Sequence, residues 1–271
     1  MSKPAEYVLG ASASEFERLR FQQHVWGAVT ERFLDRLALR PGARCLDAGC
    51  GPGLVLESLS RRAGDGGSVL GLDQSAAMIA EARRLVAEQR LGNVTLEVGS
   101  LQDLAREQPF DLIFLRWVLS FPADPAQIVM LLAQRLRPGG VLAIQDYNHH
   151  GISLFPDSAG FRAVVDATRA LYRQPGGDAF VAGHLPAMLR CAGLALFDLT
   201  PNVLAGGPDS DVFAWADRFF PPFSAKMVAA GVLAPADRAA FLRDWEERRR
   251  DPDTLFFSPI VCDIAARRPG A

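Results

Sequence analysis

The 271-residue chain is long enough for one large α/β domain with an elaboration, or for two small domains. Its 49% hydrophobic and 22% charged residues are typical of a protein that buries a core, and they exclude a disordered chain. A net charge of −2 excludes a global positive field that would attract nucleic acid. The polar start leads to no apolar stretch of signal-peptide or membrane-span length, so we expect a cytoplasmic protein without a membrane partner.

The four cysteines predict no metal site and no disulfide framework, because none of them forms a CxxC pair. Two of them lie in predicted apolar strands, which are ordinary positions for buried free thiols. The densest basic cluster, Arg248–Arg250, follows two glutamates and is typical of a solvated helix face. The local charge pattern therefore also disfavours nucleic acid as a partner.

Residues 1–40 are predicted to form a mostly helical cap with an intermittent apolar stripe. Beyond them, short apolar runs alternate with helical patterns, which indicates a parallel sheet with crossover helices. The runs predict five strands: Arg44–Asp47, Ser68–Asp73, Val94–Val98, Phe110–Leu115 and Val141–Ile144. Helical spacing predicts three helices between them: Leu54–Arg62, a helix capped by Ser75, and Pro125–Arg137, which Pro138-Gly139-Gly140 ends.

After the fifth strand the alternation loosens, with helices predicted near Ser158–Arg173 and His184–Cys191. A sixth strand at Leu194–Leu199 and a last strand at Pro259–Ala265 enclose residues 201–258. This connection is much longer than a hairpin needs and is rich in Phe and Trp, so we interpret it as a helical lid over the sheet. The predicted organisation is a cap at 1–40, a core at 41–200, the lid at 201–258, and the final strand with a tail at 259–271.

A glycine-rich turn, Asp47-Ala-Gly49-Cys-Gly51-Pro-Gly53, joins the first strand to the following helix. The turn lies at the carboxyl ends of the parallel strands, where folds of this class bind ligands. Glycines there allow positive φ angles and a close approach of the backbone to a ligand. Leu54 stands where the G-x-G-x-x-G pattern of pyrophosphate sites has its third glycine, which disfavours a nicotinamide oxidoreductase. Asp73, at the end of the second strand, supplies a second carboxylate.

Three segments, Leu46–Gly53, Gly71–Asp73 and Leu136–Gly140, together resemble the class I S-adenosylmethionine-dependent methyltransferases, in particular the branch that acts on quinones and natural products. The resemblance extends from Ala43 to Ile144, and Tyr7-Val-Leu-Gly10 resembles the opening of that branch. It implies an α/β, Rossmann-like fold with a seven-stranded sheet whose last strand is antiparallel. It also implies S-adenosylmethionine as cofactor and methyl transfer to a small molecule.

The resemblance also implies which residues bind the cofactor. Asp47 and the turn backbone at Gly49, Gly51 and Gly53 are expected at the methionine ammonium, and Asp73 at both ribose hydroxyls. Further contacts along the cofactor are expected from Gln74, Met78, Ser100, Leu101, Tyr7 and Gln22. The family often has an acidic residue where this chain has Ser100, whose hydroxyl accepts a hydrogen bond from the adenine amino group more weakly.

Methyl transfer requires a general base only where the acceptor is a hydroxyl or an acidic carbon. The segment Asp146-Tyr147-Asn148-His149-His150 follows the fifth strand and is predicted as a polar loop. His149 or His150 is the candidate base, with Asp146 as its orienting partner. Trp117, Tyr147 and Asn148 are candidate substrate contacts. The alternative is a polar loop without a catalytic role, and no fourth ligand supports a metal ion there.

Other features leave alternatives open. Arg116, after the fourth strand, either steers an anionic substrate or pairs with a carboxylate on the cofactor side. The aromatic residues of 201–258 either cover an apolar pocket or belong to an ordinary core. We favour O- or C-methylation of a small apolar or aromatic molecule, in secondary metabolism, by a chain that can form a homodimer. The alternatives are an adenosylmethionine-binding enzyme that catalyses a rearrangement, cyclisation or elimination, and a cofactor-binding regulatory subunit.

Overall fold

The computed structural model describes residues 13–104 and 109–270, which form eight helices and ten strands. The helices are α1 (Ala13–Arg36), α2 (Leu56–Ala63), α3 (Ala76–Glu88), α4 (Pro125–Gln134), α5 (Ala159–Arg173), α6 (Val181–Cys191), α7 (Asp211–Ala229) and α8 (Pro235–Arg248). The strands are β1 (Arg44–Ala48), β2 (Ser68–Asp73), β3 (Val94–Val98), β4 (Phe110–Arg116), β5 (Leu136–Asn148), β6 (Ser153–Phe155), β7 (Ala195–Asn202), β8 (Ala205–Gly206), β9 (Leu255–Phe257) and β10 (Ile260–Arg267).

Seven strands form one sheet in the order β3-β2-β1-β4-β5-β10-β7. The pairs β2–β3, β1–β2, β1–β4 and β4–β5 are parallel, whereas β10 is antiparallel to both β5 and β7. The expected Rossmann-like sheet with an antiparallel last strand is therefore confirmed. The strand order reverses beside β1 and β4, which opens a crevice at their carboxyl ends.

Helices cover both faces of the sheet, so the central strands are apolar on both sides. In β4, Leu112 and Phe114 pack with apolar residues of α1, α2 and α3. Their neighbours Ile113 and Leu115 point to the other face and pack with α4 and α6. This alternation explains why β4 reads as an unbroken apolar run in the sequence.

The segment between β7 and β10 forms α7 and α8, which pack with α5 and with the middle of α1 in a separate apolar cluster. Its largest buried side chains are aromatic: Trp26, Phe161, Phe213, Phe220, Phe241, Trp245 and Phe256. A small sheet, β6-β9-β8, closes this region and was not expected from the sequence. Within the described ranges, no helix has both the length and the apolar composition needed to cross a bilayer.

Two predicted boundaries around β5 are wrong. The helix expected to reach Arg137 ends at Gln134, and β5 begins at Leu136. The strand then continues through Asn148, so Asp146, Tyr147 and Asn148 are strand residues, not loop residues. The reason is tertiary: β10 pairs along β5 from Asn148 to Val141, and this pairing extends the strand through a polar stretch.

Candidate cofactor and acceptor site

A cavity of about 470 Å³ lies at the carboxyl ends of β1, β2, β4 and β5, beneath residues of α1 and α7. One part of its wall is formed by the glycine turn and the residues after β2 and β3; we call it the glycine-turn end. The aromatic end is formed by rings from five segments: Trp117, Phe121, Tyr147, His149, Tyr172, Trp215, Phe219 and Phe220. The size is within the usual range for small-molecule sites.

The glycine turn is held by close packing against neighbouring elements. Gly49 has φ of 78°, and a Cβ there would lie 2.7 Å from Val118 Cγ2. Gly53 has φ of 82°, and its Cβ would lie 2.8 Å from Leu56 Cδ1, so it serves the packing of α2 and is not part of the cavity wall. Gly49 and Gly51 do line the cavity.

Asp73 is oriented by two backbone amides. The Gly51 N–H donates to Oδ2 at 2.9 Å, and the Ser75 N–H donates to Oδ1 at 2.8 Å. Burial raises the pKa of Asp73, and these two donors act against that rise. Each carboxylate oxygen keeps a further lone-pair direction for a ligand hydroxyl. Gln74 and Met78, which follow at the start of α3, also line the cavity.

Asp47 is the buried carboxylate of the glycine-turn end, with 2% of its surface exposed. Its Oδ2 atom is buried and receives no hydrogen bond from the described residues. Burial raises the pKa of Asp47 to about 7; Arg116 acts to lower it, and Asp73 raises it further. Because an unpartnered buried carboxylate is costly, this arrangement calls for a cationic ligand group.

Arg116 ends β4 and is bound to protein groups on two sides. Its Nη1 donates to Thr30 Oγ1 at 3.1 Å, and its guanidinium lies 4.6 Å from the centre of the Trp117 ring. Burial lowers the pKa of Arg116 to about 10, while the Asp47 charge acts to raise it. Arg116 lies on the same face of the β1–β4 pair as Asp47, because Asp47 is the register partner of Phe114, two residues before Arg116. Its charge acts on Asp47 from there without a direct ion pair.

Of the four residues expected at the adenine and above the methionine, three line the cavity. Ser100 and Leu101 line the cavity, and Ser100 Oγ accepts from the Gln102 N–H at 3.3 Å, so it already caps a short 3-10 turn. Gln22 also lines the cavity, where its Oε1 accepts from Arg18 Nη1 at 2.9 Å and from Trp215 Nε1 at 3.3 Å. Tyr7 lies outside the described residues.

His149 stands at the aromatic end as a neutral ring. It is 5% exposed, and burial together with the Arg169 charge lowers its pKa to about 3. Its ring lies edge-on to Tyr147 and Tyr172, with centroids 5.5 and 5.4 Å away. Its Nδ1 is buried without a hydrogen bond from the described residues, and the residue is part of the cavity wall. Tyr147 also stacks on Trp117, with ring planes 9° apart.

Three other residues of the segment 146–150 do not take the expected positions. His150 is exposed, packs 4.5 Å from the Phe180 ring and is not part of the cavity wall. Asn148 is also absent from the wall, and its Oδ1 accepts from the His150 N–H at 3.0 Å. Asp146 accepts from the Val118 and Leu119 N–H groups at 3.1 and 2.8 Å, so it holds the segment after β4 and does not orient His149.

In the chain outside residues 1–12, 105–108 and 271, no group of three or more His, Cys, Asp or Glu side chains is arranged to hold a metal ion. Asp146, His149 and His150 in particular diverge. Sequence reasoning missed several wall residues that come from distant segments: Arg18, Phe121, Thr168, Tyr172 and Pro175. No local motif marks them; α5, for instance, has an ordinary amphipathic pattern.

The chain is similar to several known proteins. A family model described as a methyltransferase domain matches residues 39–175, half of the chain. A trans-aconitate 2-methyltransferase of Methylobacterium nodulans is 42% identical over 112 residues, 41% of each chain. A ubiquinone biosynthesis O-methyltransferase of Xanthomonas campestris pv. campestris is 34% identical over 177 residues, 62% of this chain and 70% of that one. The chain spans less than half the length of several curated relatives that it matches.

Among solved structures, the [4+2]-cyclase SpnF superposes with a TM-score of 0.55 and 21% identity, covering 91% of this chain and 84% of that one. Likeness at this identity concerns the fold alone. The family model, in contrast, includes the glycine turn, both carboxylates and Arg116. The chain therefore belongs to the class I S-adenosylmethionine-dependent methyltransferase family.

Proposed function

We propose that this chain transfers a methyl group from S-adenosylmethionine to a small, apolar, ring-containing acceptor. The observation that carries the proposal is one cavity with two unlike ends: two carboxylates beside a glycine turn, and a wall of aromatic rings. The resemblance to natural-product methyltransferases supports a place in secondary metabolism. The relatives named as methyltransferases support the same reaction class.

The glycine-turn end fits the polar groups of the cofactor. The unpartnered Oδ2 of Asp47 suits the methionine ammonium, since a buried carboxylate gains most from a charge-assisted hydrogen bond. Asp73, fixed by two backbone amides, suits the ribose diol. Gly49 allows the turn backbone to approach the methionine ammonium closely. When bound, the cofactor supplies a methyl group already activated on a sulfonium.

The aromatic end suits an uncharged planar acceptor. Its rings exclude water and offer stacking and edge contacts, while the charged wall residues, Asp47, Asp73, Arg18 and Arg116, have partners or roles elsewhere. The chain's contribution is to hold the acceptor in line with the methyl carbon, at about 3 Å, which is the main requirement of the reaction. Residues 201–258 provide part of this wall through Trp215 and Phe219, as a lid would.

We propose His149, and no longer His150, as the base for a hydroxyl or enol acceptor. The neutral ring has an available lone pair at neutral pH, and His149 is part of the cavity wall. His149 takes the proton that the acceptor hydroxyl loses as its oxygen becomes methylated. A pKa near 3 makes the free ring a weak base, so the proton moves only as the acceptor becomes acidic during transfer.

Methyl-labelled S-adenosylmethionine tests the proposal when incubated with the protein and a panel of small phenols, enols and amines. Label in an aromatic or enolic product is the expected result. An unlabelled product that forms only when cofactor is present would instead establish the alternative, a cyclisation, rearrangement or elimination. Light scattering of the purified protein tests the proposed homodimer separately.

A further inference from the structure

A row of polar side chains crosses the sheet beneath α1. Arg116, Gln145, Asp263 and Thr200 are register neighbours on β4, β5, β10 and β7. Gln145 and Asp263 are 0% exposed. Polar groups in the middle of a covered sheet cost free energy unless they bond to one another, so such a row requires a physical reason.

Three of these side chains, Arg116, Gln145 and Asp263, form one continuous chain of hydrogen bonds with two residues of α1. Arg36 Nη2 donates to Asp263 Oδ2 at 2.9 Å, and Gln145 Nε2 donates to Asp263 Oδ1 at 2.6 Å. Thr30 Oγ1 donates to Gln145 Oε1 at 2.7 Å and accepts from Arg116 Nη1 at 3.1 Å. The chain therefore runs from the protein surface at Arg36 to the cavity wall at Arg116.

The carboxylate of Asp263 determines which group donates in each hydrogen bond of this chain. An ionised Asp263 only accepts, so it fixes the amide of Gln145 with the nitrogen toward β10 and the oxygen toward α1. The single hydroxyl proton of Thr30 is then used on that oxygen. Thr30 can offer only lone pairs to its other neighbour, which matches the donor-only guanidinium of Arg116.

We propose that Thr30 and Gln145 are positioning residues of the cofactor site: this chain of hydrogen bonds, here called the relay, fixes the Arg116 guanidinium at the cavity wall, on the face of the β1–β4 pair that carries Asp47. The proposal rests on the proposed function through the role of Asp47. Neither Thr30 nor Gln145 lines the cavity, so they act through Arg116.

The charged groups around Asp47 show why the position of Arg116 matters for the ionisation of Asp47. The charged or titratable groups that face Asp47 are Arg116 on β4, Asp73 on β2 and the Cys50 thiol of the glycine turn. Burial and Asp73 raise the pKa of Asp47, and among the described residues Arg116 is the group that acts to lower it. A guanidinium that loses its anchor and moves away would therefore raise the pKa further and leave less carboxylate at neutral pH.

The test measures binding of S-adenosylhomocysteine, which keeps the ammonium, by calorimetry between pH 5.5 and 8.5. Thr30→Val removes the hydroxyl at nearly constant volume, and Thr30→Ser keeps it. Thr254→Val is the matched control, because the Thr254 hydroxyl is buried but has no hydrogen bond in the described structure. Gln145→Met interrupts the relay at the residue that follows Thr30 on the side away from Arg116. This variant replaces Thr30→Val in the test if Thr30→Val does not fold.

In the wild type we expect affinity to rise with pH around a midpoint set by Asp47. Thr30→Val should move this midpoint upward by about half a pH unit or more, which is roughly threefold in affinity below the midpoint. Thr30→Ser and Thr254→Val should keep the wild-type profile. A wild-type midpoint in Thr30→Val and Gln145→Met would overturn the relay, even if both proteins lost thermal stability.

Asp47→Asn separates the relay from the cofactor assignment. If Asp47→Asn loses the pH dependence while Thr30→Val keeps the wild-type midpoint, the relay alone is wrong. If Asp47→Asn binds S-adenosylhomocysteine with wild-type affinity at every pH, the ammonium role of Asp47 is wrong, and the relay loses its function with it.

Discussion

At the glycine-turn end of the cavity, the two carboxylates come from short stretches, residues 47–53 and 73–78, and two backbone amides orient Asp73. At the aromatic end, side chains come from β5, α5, α7 and the segment after β4, and ring contacts hold them. Backbone hydrogen bonds and positive φ angles tolerate few substitutions, whereas ring packing accepts exchanges that conserve volume. The difference teaches that local segments determine the cofactor chemistry, while tertiary packing determines the acceptor.

The largest expected effect tests the aromatic end. His149→Ala should lower turnover of a hydroxyl acceptor by roughly 10²- to 10⁴-fold, the usual contribution of a positioned base. Affinity for S-adenosylhomocysteine should stay at the wild-type value, because His149 lies away from the glycine turn. His150→Ala is the matched control and should keep wild-type turnover, since that side chain packs on Phe180 outside the cavity. Wild-type turnover in His149→Ala would show that His149 is not the base.

At the glycine-turn end, Asp73→Ala should weaken cofactor affinity by about 1.5–3 kcal/mol, the cost of charge-assisted hydrogen bonds. Calorimetry with S-adenosylhomocysteine measures this loss. Asp65→Ala, which removes an exposed carboxylate before β2, should have no effect. Equal affinities for wild type and Asp73→Ala would mean that this carboxylate serves only the turn and the α3 cap.

A matched pair of glycines tests how closely the glycine turn packs against Val118. Gly49 and Gly139 have φ of 78° and 79°, but a Cβ meets Val118 at 2.7 Å in the first case and nothing within 4 Å in the second. Both alanine variants carry the same left-handed strain, so the clash should destabilise Gly49→Ala by about 1–3 kcal/mol beyond Gly139→Ala. Denaturant unfolding measures both. The double variant Gly49→Ala/Val118→Ala should recover most of the difference, and no recovery would contradict the clash.

The smallest expected effect is a pH dependence in the wild type. Because burial raises the pKa of Asp47 to about 7, the apo protein loses stability from this group as pH rises from about 4 through 7. Cofactor binding has the opposite sign, since the ammonium needs the ionised form, and affinity should gain roughly tenfold from pH 6 to pH 8. Calorimetric titrations at both values check it, with Asp47→Asn as the pH-independent reference. A flat wild-type profile would contradict the raised pKa.

Apolar runs and helical spacing in the sequence predicted the strands of a mainly parallel sheet and the position of the glycine turn. The count of seven strands, the antiparallel last strand and the cofactor contacts of the turn were implied by the resemblance to the methyltransferase family. The aromatic end was predicted in part: Trp117, Tyr147 and His149 were candidates at strand ends and line the cavity. Tyr172 and Trp215 lie on helices whose patterns suit ordinary packing, so the sequence did not assign them to the site. The pairing of β10 along β5 placed Asp146 and Tyr147 in a strand, which sequence polarity concealed.

The row of polar side chains beneath α1 also could not be recognised from the sequence alone. Gln145 and Asp263 interrupt apolar strands, and each alone is a weak signal. Their meaning comes from register, since β5 and β10 bring them side by side although the chain separates them by more than one hundred residues. Only the assembled sheet shows that they connect to Arg116 through Thr30.

The most direct test of the central claim is a calorimetric titration of the purified wild-type protein with S-adenosylhomocysteine at pH 8. A glycine turn with Asp47 and Asp73 placed as described should give saturable binding with one site per chain. Absence of saturable binding under these conditions, in protein that unfolds cooperatively, would contradict the cofactor site and every step built on it.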